Sequence, residues 1–275
     1  MTDLDIDTLF TDPAELGRIQ MEAEFGLREM KAAIMALPTG ARVLEVGCGT
    51  GYLLAVFSAL RPDISFTGLE PLGQGFAAFD GALTKVQSAY ANLTIHRTGI
   101  EDFRPMPDLQ LYDFVFSVNV FEHVGDWRRA VLNGAGLLSK AGQMVILCPN
   151  YAVPYEPHFR IPILVSKKMT RRIFARPIEK LETESNAKGL WNSLNFITVP
   201  QMRQHCRAHG LGLVFDTGVM SRMLDRLDTD PEFARRQAAV AGIARLLKRC
   251  GAGWFLQRLP AAFSPYMKAL VSARA

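Results

Sequence analysis

Apolar residues recur over the first forty positions at steps of three and four: Leu16, Ile19, Ala23, Leu27, Met30, Ile34 and Leu37. That spacing lays one apolar stripe along a helix over 15–37, stopped by Pro38 and Gly40. Past it the pattern changes to short continuous apolar runs separated by helical stretches. A run at Arg42–Val46, a helix from Gly51 to Leu60, a run at Ile64–Leu69, a helix from Phe76 to Ser88 and a strand at Leu93–Thr98 follow one another. Strands covered on both faces lose the polar alternation of a half-exposed strand, so this order reads as βαβαβ in a parallel, doubly wound α/β sheet. Two more apolar runs, Tyr112–Val118 and Gln143–Cys148, flank a helix from Asp126 to Ser139 whose Ala130, Leu137 and Leu138 face the sheet. The sheet therefore has at least five strands.

Beyond Asn150 the regularity fails. Residues 151–197 mix Pro154, Pro157, Pro162 and Pro177 with the basic pairs Lys167-Lys168 and Arg171-Arg172, which reads as an inserted lid or acceptor cap. Alternation resumes with a helix from Val199 to His209, a stop at Gly210 and a strand at Leu211–Phe215 that joins the far edge of the sheet. The last fifty or so residues read as helical from the periodicity of Phe233, Val240, Ile243 and Leu247. The chain thus divides into a helical leader at 1–40, a core at 41–150, the insert at 151–197, the end of the sheet at 198–220 and a basic helical extension at 221–275.

Composition sharpens this picture in four places. With 49% hydrophobic and 21% charged residues over 275 positions, the chain has the balance of a globular protein and not of a disordered or collagen-like one. Cys48, Cys148, Cys206 and Cys250 form no CxxC pair, so neither a disulfide framework nor a zinc-finger pattern is supported. The acidic start MTDLDIDTLF lacks the features of a secretory signal, and the longest stretch free of Asp, Glu, Lys and Arg, Ala141 to Tyr155, falls short of the ~18 residues of a membrane span. A cytoplasmic protein is expected. The net charge of +4 conceals an asymmetry: residues 1–150 hold 11 Lys+Arg against 18 Asp+Glu, net −7, and residues 151–275 hold 20 against 9, net +11. A basic half attracts phosphates, anionic lipid or nucleic acid, but no block of five or more basic residues appears, which favours plain solubility.

The segment Glu45-Val46-Gly47-Cys48-Gly49-Thr50-Gly51-Tyr52 closes a strand and opens a helix. Three glycines there let the backbone turn sharply and approach a ligand at the carboxyl edge of the first strand. A ligand-free turn needs one or two at most. The dinucleotide fingerprint GxGxxG would require glycine where Tyr52 stands, and no GK[ST] follows to cradle a triphosphate. The pattern Glu-x-Gly-x-Gly-x-Gly resembles the first motif of the class I S-adenosylmethionine-dependent methyltransferases. The resemblance implies a Rossmann-like, mostly parallel sheet of about seven strands, with S-adenosyl-L-methionine as cofactor. Glu45 would orient the loop and the methionine end of the cofactor, with Gly47, Cys48, Gly49 and Gly51 forming the loop that lines it. Glu70, ending Phe66-Thr67-Gly68-Leu69-Glu70, stands where the family accepts both ribose hydroxyls, and a carboxylate has the lone pairs for a vicinal diol. In Thr98-Gly99-Ile100-Glu101-Asp102 the family's adenine contacts fall on the backbone of Ile100 and the side chain of Glu101. The fourth strand runs into Asn119-Val120-Phe121-Glu122-His123-Val124, similar to the EVLEHV segment of quinone-type and related small-molecule methyltransferases, and places Asn119 against the sulfonium and amino group. The likeness covers about 40–150 well and 195–216 weakly.

Methyl transfer from a sulfonium is an in-line displacement with an activated donor, so the protein has to position the acceptor and remove its proton. His123 is a candidate base, and equally a structural histidine holding a helix start. Glu122 and His123 also resemble part of a Glu-x-x-Glu-His metal site, but Asn119 replaces the first carboxylate, and no metal is expected. Tyr155, Glu156 and His158 crowd the carboxyl edge of the fifth strand between stiffening prolines; Glu156 and His158 join His123 as catalytic candidates, against the reading of a rigid loop with solvated polar groups. The NPPY signature is absent after the fourth strand, which disfavours nucleic-acid base amines. Trp191-Asn192-Ser193-Leu194-Asn195-Phe196 is either an aromatic wall with amide donors over the acceptor or an anchor joining lid to sheet, the second being favoured. In the tail, Arg235, Arg245, Lys248 and Arg249 beside Val240, Ile243, Leu247 and Trp254 suit either packing or peripheral contact with the inner face of an anionic membrane. The expected activity is methyl transfer to a small-molecule, glycan or lipid-linked acceptor, on oxygen; a cofactor-binding protein without catalysis and a nicotinamide-dependent oxidoreductase are the competing readings.

Overall fold

In the computed structural model the described residues are 6–10, 12–73, 76, 79–104, 111–185, 187–229, 234, 251 and 259–273. Helix α1 (Pro13–Met35) precedes strand β1 (Arg42–Val46), helix α2 (Tyr52–Leu60), β2 (Ser65–Leu69), α3 (Asp80–Ala89) and β3 (Leu93–His96). Strand β4 (Tyr112–Val118), α4 (Trp127–Gly136) and β5 (Leu138–Pro149) complete the parallel part. The insert contributes the two-residue strands β6 (Tyr155–Glu156) and β7 (Ile161–Pro162) and helices α5 (Lys167–Ile173), α6 (Ala175–Glu184) and α7 (Leu190–Ser193). Helix α8 (Val199–Ala208), β8 (Gly212–Phe215), α9 (Val219–Thr229) and β9 (Tyr266–Ser272) follow.

Seven strands lie in the order β3-β2-β1-β4-β5-β9-β8. The pairs from β3 to β5 are parallel, and β9 runs antiparallel to both β5 and β8. The doubly wound sheet and the edge position of Leu211–Phe215 agree with the sequence pattern. The end of the chain departs from the helical reading, because residues 266–272 insert as a strand between β5 and β8. Met267, Ala269 and Val271 are buried in alternation with half-buried neighbours, a period of two that a seven-residue stretch with one alanine barely shows. The basic tail helix expected over 232–259 lies almost wholly outside the described residues.

Boundaries shift for local reasons. Helix α4 begins where expected, capped by Asp126 accepting from Arg129 N, but stops at Gly136; Gly134 and Gly136 weaken its last turn. Strand β5 starts at Leu138, five residues early, because its first part is largely solvent-facing and carries no apolar run. The capping box of Thr198 and Gln201 sets the start of α8.

Apolar side chains form one core on each face of the sheet. Helices α1, α2 and α3 cover one face through Met30, Ile34, Leu54, Phe57 and Leu83. The other core takes in α4 and α8 and also Ile178, Leu190, Trp191, Leu194 and Ile197 from the insert. The insert is thus packed into the main core. On the first face Glu29 of α1 accepts from Arg222 of α9 at 2.7 Å through both oxygens and from Lys268 of β9 at 2.9 Å, pinning the last strand to the first helix. Among the described residues no helix is long and apolar enough to cross a membrane.

Candidate active site

The carboxyl ends of β1, β2, β4 and β5 lie along one edge of the sheet, with Val46 beside Leu69 and Val118 beside Leu147. The glycine loop leaves β1 there and is held to the end of β2: Gly47 N and Cys48 N donate to Leu69 O at 2.8 and 3.0 Å. Gly47 has φ +73° and a Cβ on it would lie 2.4 Å from both methyls of Val120, so only glycine fits. Gly49 differs. At φ +54° its missing Cβ meets only the Phe79 ring among the described residues, at the ordinary contact distance of 3.7 Å. A Cβ on Gly51 would press on Leu83 and Val86 at 3.0 Å, so this glycine serves the packing of α2 on α3. Cys48 is buried, and burial pushes its thiol well up.

Glu70 accepts from Gly49 N through Oε2 at 2.9 Å and from Leu72 N through Oε1 at 2.8 Å. The acid at the tip of the second strand therefore also fixes the glycine loop, and each oxygen keeps a lone pair for a further donor. Burial raises its pKa, and the two backbone bonds oppose the rise. Two buried acceptors without a partner among the described residues stand on neighbouring strand ends, Glu45 Oε2 and Asn119 Oδ1. Asn119 has φ +55°, a strained conformation for a non-glycine residue. Burial first, then the charge of Glu70, raises the Glu45 pKa well above the usual carboxylate range. Orphaned acceptors beside an open glycine cradle fit the ammonium and sulfonium end of S-adenosylmethionine. Ile100 is buried in the core that contains β1 and β4, its carbonyl accepting from Asn133 Nδ2 at 2.9 Å. Glu101 Oε1 accepts from Asp126 N at 3.3 Å, which sets this carboxylate at the positive end of α4.

A second cluster of titratable groups forms where the turn after β4 meets the insert. Glu156 is fully buried and accepts three hydrogen bonds: from Tyr151 Oη at 3.1 Å, His158 Nδ1 at 2.7 Å and Phe159 N at 2.6 Å. With Nδ1 fixed, His158 turns Nε2 toward Glu122 Oε1, 3.9 Å away, and its ring centroid lies 5.2 Å from that of His123. Glu122 is fully buried and neither oxygen has a hydrogen-bond partner among the described residues. Burial pushes its pKa up to about 7 against the pull of His158. His123 pairs through Nδ1 with Ser193 Oγ at 2.8 Å, and Ser193 Oγ donates to Leu190 O, so the imidazole is the donor of that pair. Burial, then the proximity of His158 and Lys167, lowers its pKa to about 3, which keeps the ring neutral. Sequence alone offered His123, Glu156 and His158 separately; the fold brings all three together.

Glu122, His123 and His158 offer ligand atoms within 4.8 Å of one another, so they could hold a metal ion. One carboxylate and two imidazoles lack the several charged oxygens a magnesium ion prefers.

Two asparagines that no motif marks hold the site. Asn195 Nδ2 donates to Phe121 O at 2.6 Å and Val124 O at 2.8 Å, clamping the turn that carries Glu122 and His123. Asn150 Nδ2 donates to Ser264 O at 2.7 Å while Oδ1 accepts from Ala152 N and Val199 N, joining the end of β5, the insert and the approach to β9. Trp191 is buried against Phe159 and Phe196 with ring centroids 5.4 and 5.8 Å away. The stretch 191–196 is thus the anchor, and its amides serve the protein.

A doubly wound sheet with a glycine cradle, an acid at the tip of its second strand and a titratable cluster beyond the fourth defines an S-adenosylmethionine-dependent methyltransferase. The chain belongs to the methyltransferase domain family, which matches residues 21–214. A protein of Mycobacterium tuberculosis (strain ATCC 25618 / H37Rv), named only as uncharacterised, is 35% identical over 261 residues, 92% of this chain and 86% of its own length. The ubiquinone biosynthesis O-methyltransferase of Rhodopseudomonas palustris (strain BisB5) is 23% identical over 217 residues, 78% of this chain and 76% of that protein. The structure of the plantazolicin methyltransferase BpumL with a triazolic desmethylPZN analog and S-adenosylhomocysteine shares the fold, with a TM-score of 0.52 at 13% identity over 99% of this chain and 96% of that one. The protein is an enzyme that uses S-adenosylmethionine.

Proposed function

We propose that the enzyme methylates a hydroxyl oxygen of a small-molecule, glycan or lipid-linked acceptor, and that the Glu156 and His158 pair removes the hydroxyl proton. The observation that carries this reading is the buried Glu156 carboxylate on His158 Nδ1 at 2.7 Å, which fixes the tautomer and the ring so that Nε2 is the basic atom. His123, neutral and tied to Ser193, positions the acceptor through its ring. The cofactor, when bound, supplies an electrophilic methyl group on sulfur. Glu45, Asn119 and the glycine loop hold its methionine end, Glu70 its ribose, and Ile100 with Glu101 its adenine. As that methyl group passes to the acceptor oxygen, leaving the thioether behind, the hydroxyl proton would pass to His158 Nε2. The negative potential of Glu156 stabilises the imidazolium so formed. The O-methyltransferase among the relatives supports oxygen as the target. For a lipid-linked acceptor, the same reading includes a peripheral membrane contact of the basic tail at the cytoplasmic face.

The test is transfer of labelled methyl groups from S-adenosylmethionine to a panel of phenols, sugars and lipid-linked glycans, with parallel amine and thiol acceptors. Oxygen-linked product is expected, as a base-stable methyl ether located by mass spectrometry. Product found on nitrogen or sulfur, with none on oxygen, overturns it.

A further inference from the structure

The insert carries a surface that the chemistry above does not use. From Pro157 to Ile178 the chain holds Arg160, Lys167, Lys168, Arg171, Arg172 and Arg176, and no Asp or Glu. Two of these cations bind the neighbouring segment 192–194. Lys167 Nζ donates to Asn192 O at 2.9 Å and to Leu194 O, and Arg171 donates to Asn192 Oδ1 at 2.5 Å, so one side of α5 is fastened to the anchor that supports His123. The other side faces water. Met169 and Ile173, one helical turn apart, are 45% and 56% exposed, and Val165, just before the Ser166 cap, is 92% exposed. Three of the eight large apolar residues exposed among the described residues thus lie within nine positions of one another. Lys168 and Arg172, also one turn apart and exposed, flank them, and Arg176 follows on α6.

Single exposed apolar side chains are ordinary, but a cluster on one helix face rimmed by cations is not. Such a face has the two components of an interfacial helix, an apolar strip that enters the headgroup boundary and basic residues that meet lipid phosphates. The absence of acids over the whole segment matches a uniformly negative partner. We propose that the outer face of α5, formed by Met169 and Ile173 with Lys168 and Arg172 and continued by Val165 ahead of the helix, docks on an anionic lipid bilayer. This surface lies in the insert that frames the candidate acceptor site and is separate from the expected tail contact at 232–259. It stands whether or not the acceptor is itself a lipid.

The experiment is flotation of the full-length protein with vesicles of phosphatidylcholine alone and of phosphatidylcholine with phosphatidylglycerol, at low and at physiological salt. Binding to the anionic vesicles, weakened by salt, is expected. Each basic residue near an anionic surface contributes a factor of about five in partitioning, so the pair Lys168→Glu and Arg172→Glu together lowers it at least about thirtyfold. The pair Met169→Asp and Ile173→Asp lowers it at least about tenfold. A third variant, Arg245→Glu with Lys248→Glu and Arg249→Glu, separates the tail from the insert. Affinity for S-adenosylhomocysteine, measured by calorimetry on every variant, stays as in the parent and reports that each has folded. No binding to anionic vesicles, equal binding to neutral ones, or a loss confined to the tail variant overturns the proposal. So does concentration-dependent self-association that Met169→Asp and Ile173→Asp abolish, since the face would then cover a second copy.

Discussion

Replacing Glu122 by Gln removes a carboxyl group that is fully buried without a hydrogen-bond partner among the described residues and whose pKa burial has pushed from the ordinary 4.5 up to about 7. The folded enzyme holds this proton more tightly than the unfolded chain does. The folded state therefore loses stability as pH rises from about 4.5 toward 7, and above that carries a constant cost for the ionised group. Integrated between pH 5 and pH 8, the cost grows by about 2.5 kcal/mol. The Gln amide brings its own unpartnered donors, which offset the gain by about 1–3 kcal/mol, but that offset does not change with pH. The difference between the two proteins is thus the informative quantity, because all other titrations cancel except those coupled through His158 and Glu156. Guanidinium unfolding at pH 5 and pH 8 measures it. The variant is expected to gain about 2.5 kcal/mol on wild type between the two pH values; a difference that stays flat means that Glu122 is ionised in the folded state well below pH 7 and refutes the reasoning.

Three further outcomes follow from the geometry. Glu70→Ala weakens S-adenosylhomocysteine binding by about ten- to a hundredfold, the loss of roughly two charged hydrogen bonds, and loosens the glycine loop by freeing Gly49 N; calorimetry showing unchanged affinity would make Glu70 a scaffold residue only. Gly49→Val abolishes cofactor binding in a protein that still folds, because a β-branched side chain would fill the open cradle at φ +54°; full affinity would place the cofactor elsewhere. Trp191→Ala costs about 3–5 kcal/mol in chemical denaturation, because the side chain is 1% exposed in the main core; a loss under about 1 kcal/mol would mean that the insert is only loosely attached.

The parallel half of the sheet was legible because its strands are buried on both faces and so read as continuous apolar runs such as Val43–Val46. The cradle was legible because its glycines are required there, Gly47 for packing on Val120 and Gly49 for a backbone φ of +54°. Glu70 could be placed from the first motif, although its bond to Gly49 N could not, since nothing in sequence reports a contact across 21 positions. Strand β9 was hidden by its brevity and by Ala269, a weak hydrophobic signal at a buried position. The pairing of Glu156 with His158 lies within reach of a short turn, but their meeting with Glu122 and His123 depends on how the insert folds back over β4. Asn150 and Asn195 carry no periodic signal at all, because their role is to satisfy backbone groups of distant segments.

The most direct test of the account is turnover of a labelled-methyl acceptor by wild type, His158→Gln and Glu156→Gln, each at saturating cofactor, with S-adenosylhomocysteine affinity measured on the same preparations. The account predicts affinities within about twofold of one another, a fall in kcat of about a hundredfold or more for His158→Gln, and a smaller fall for Glu156→Gln, whose substitution disturbs the ring's orientation but leaves the base in place. Turnover by His158→Gln equal to that of wild type would contradict it, and so would a loss of activity in either variant that follows loss of cofactor binding.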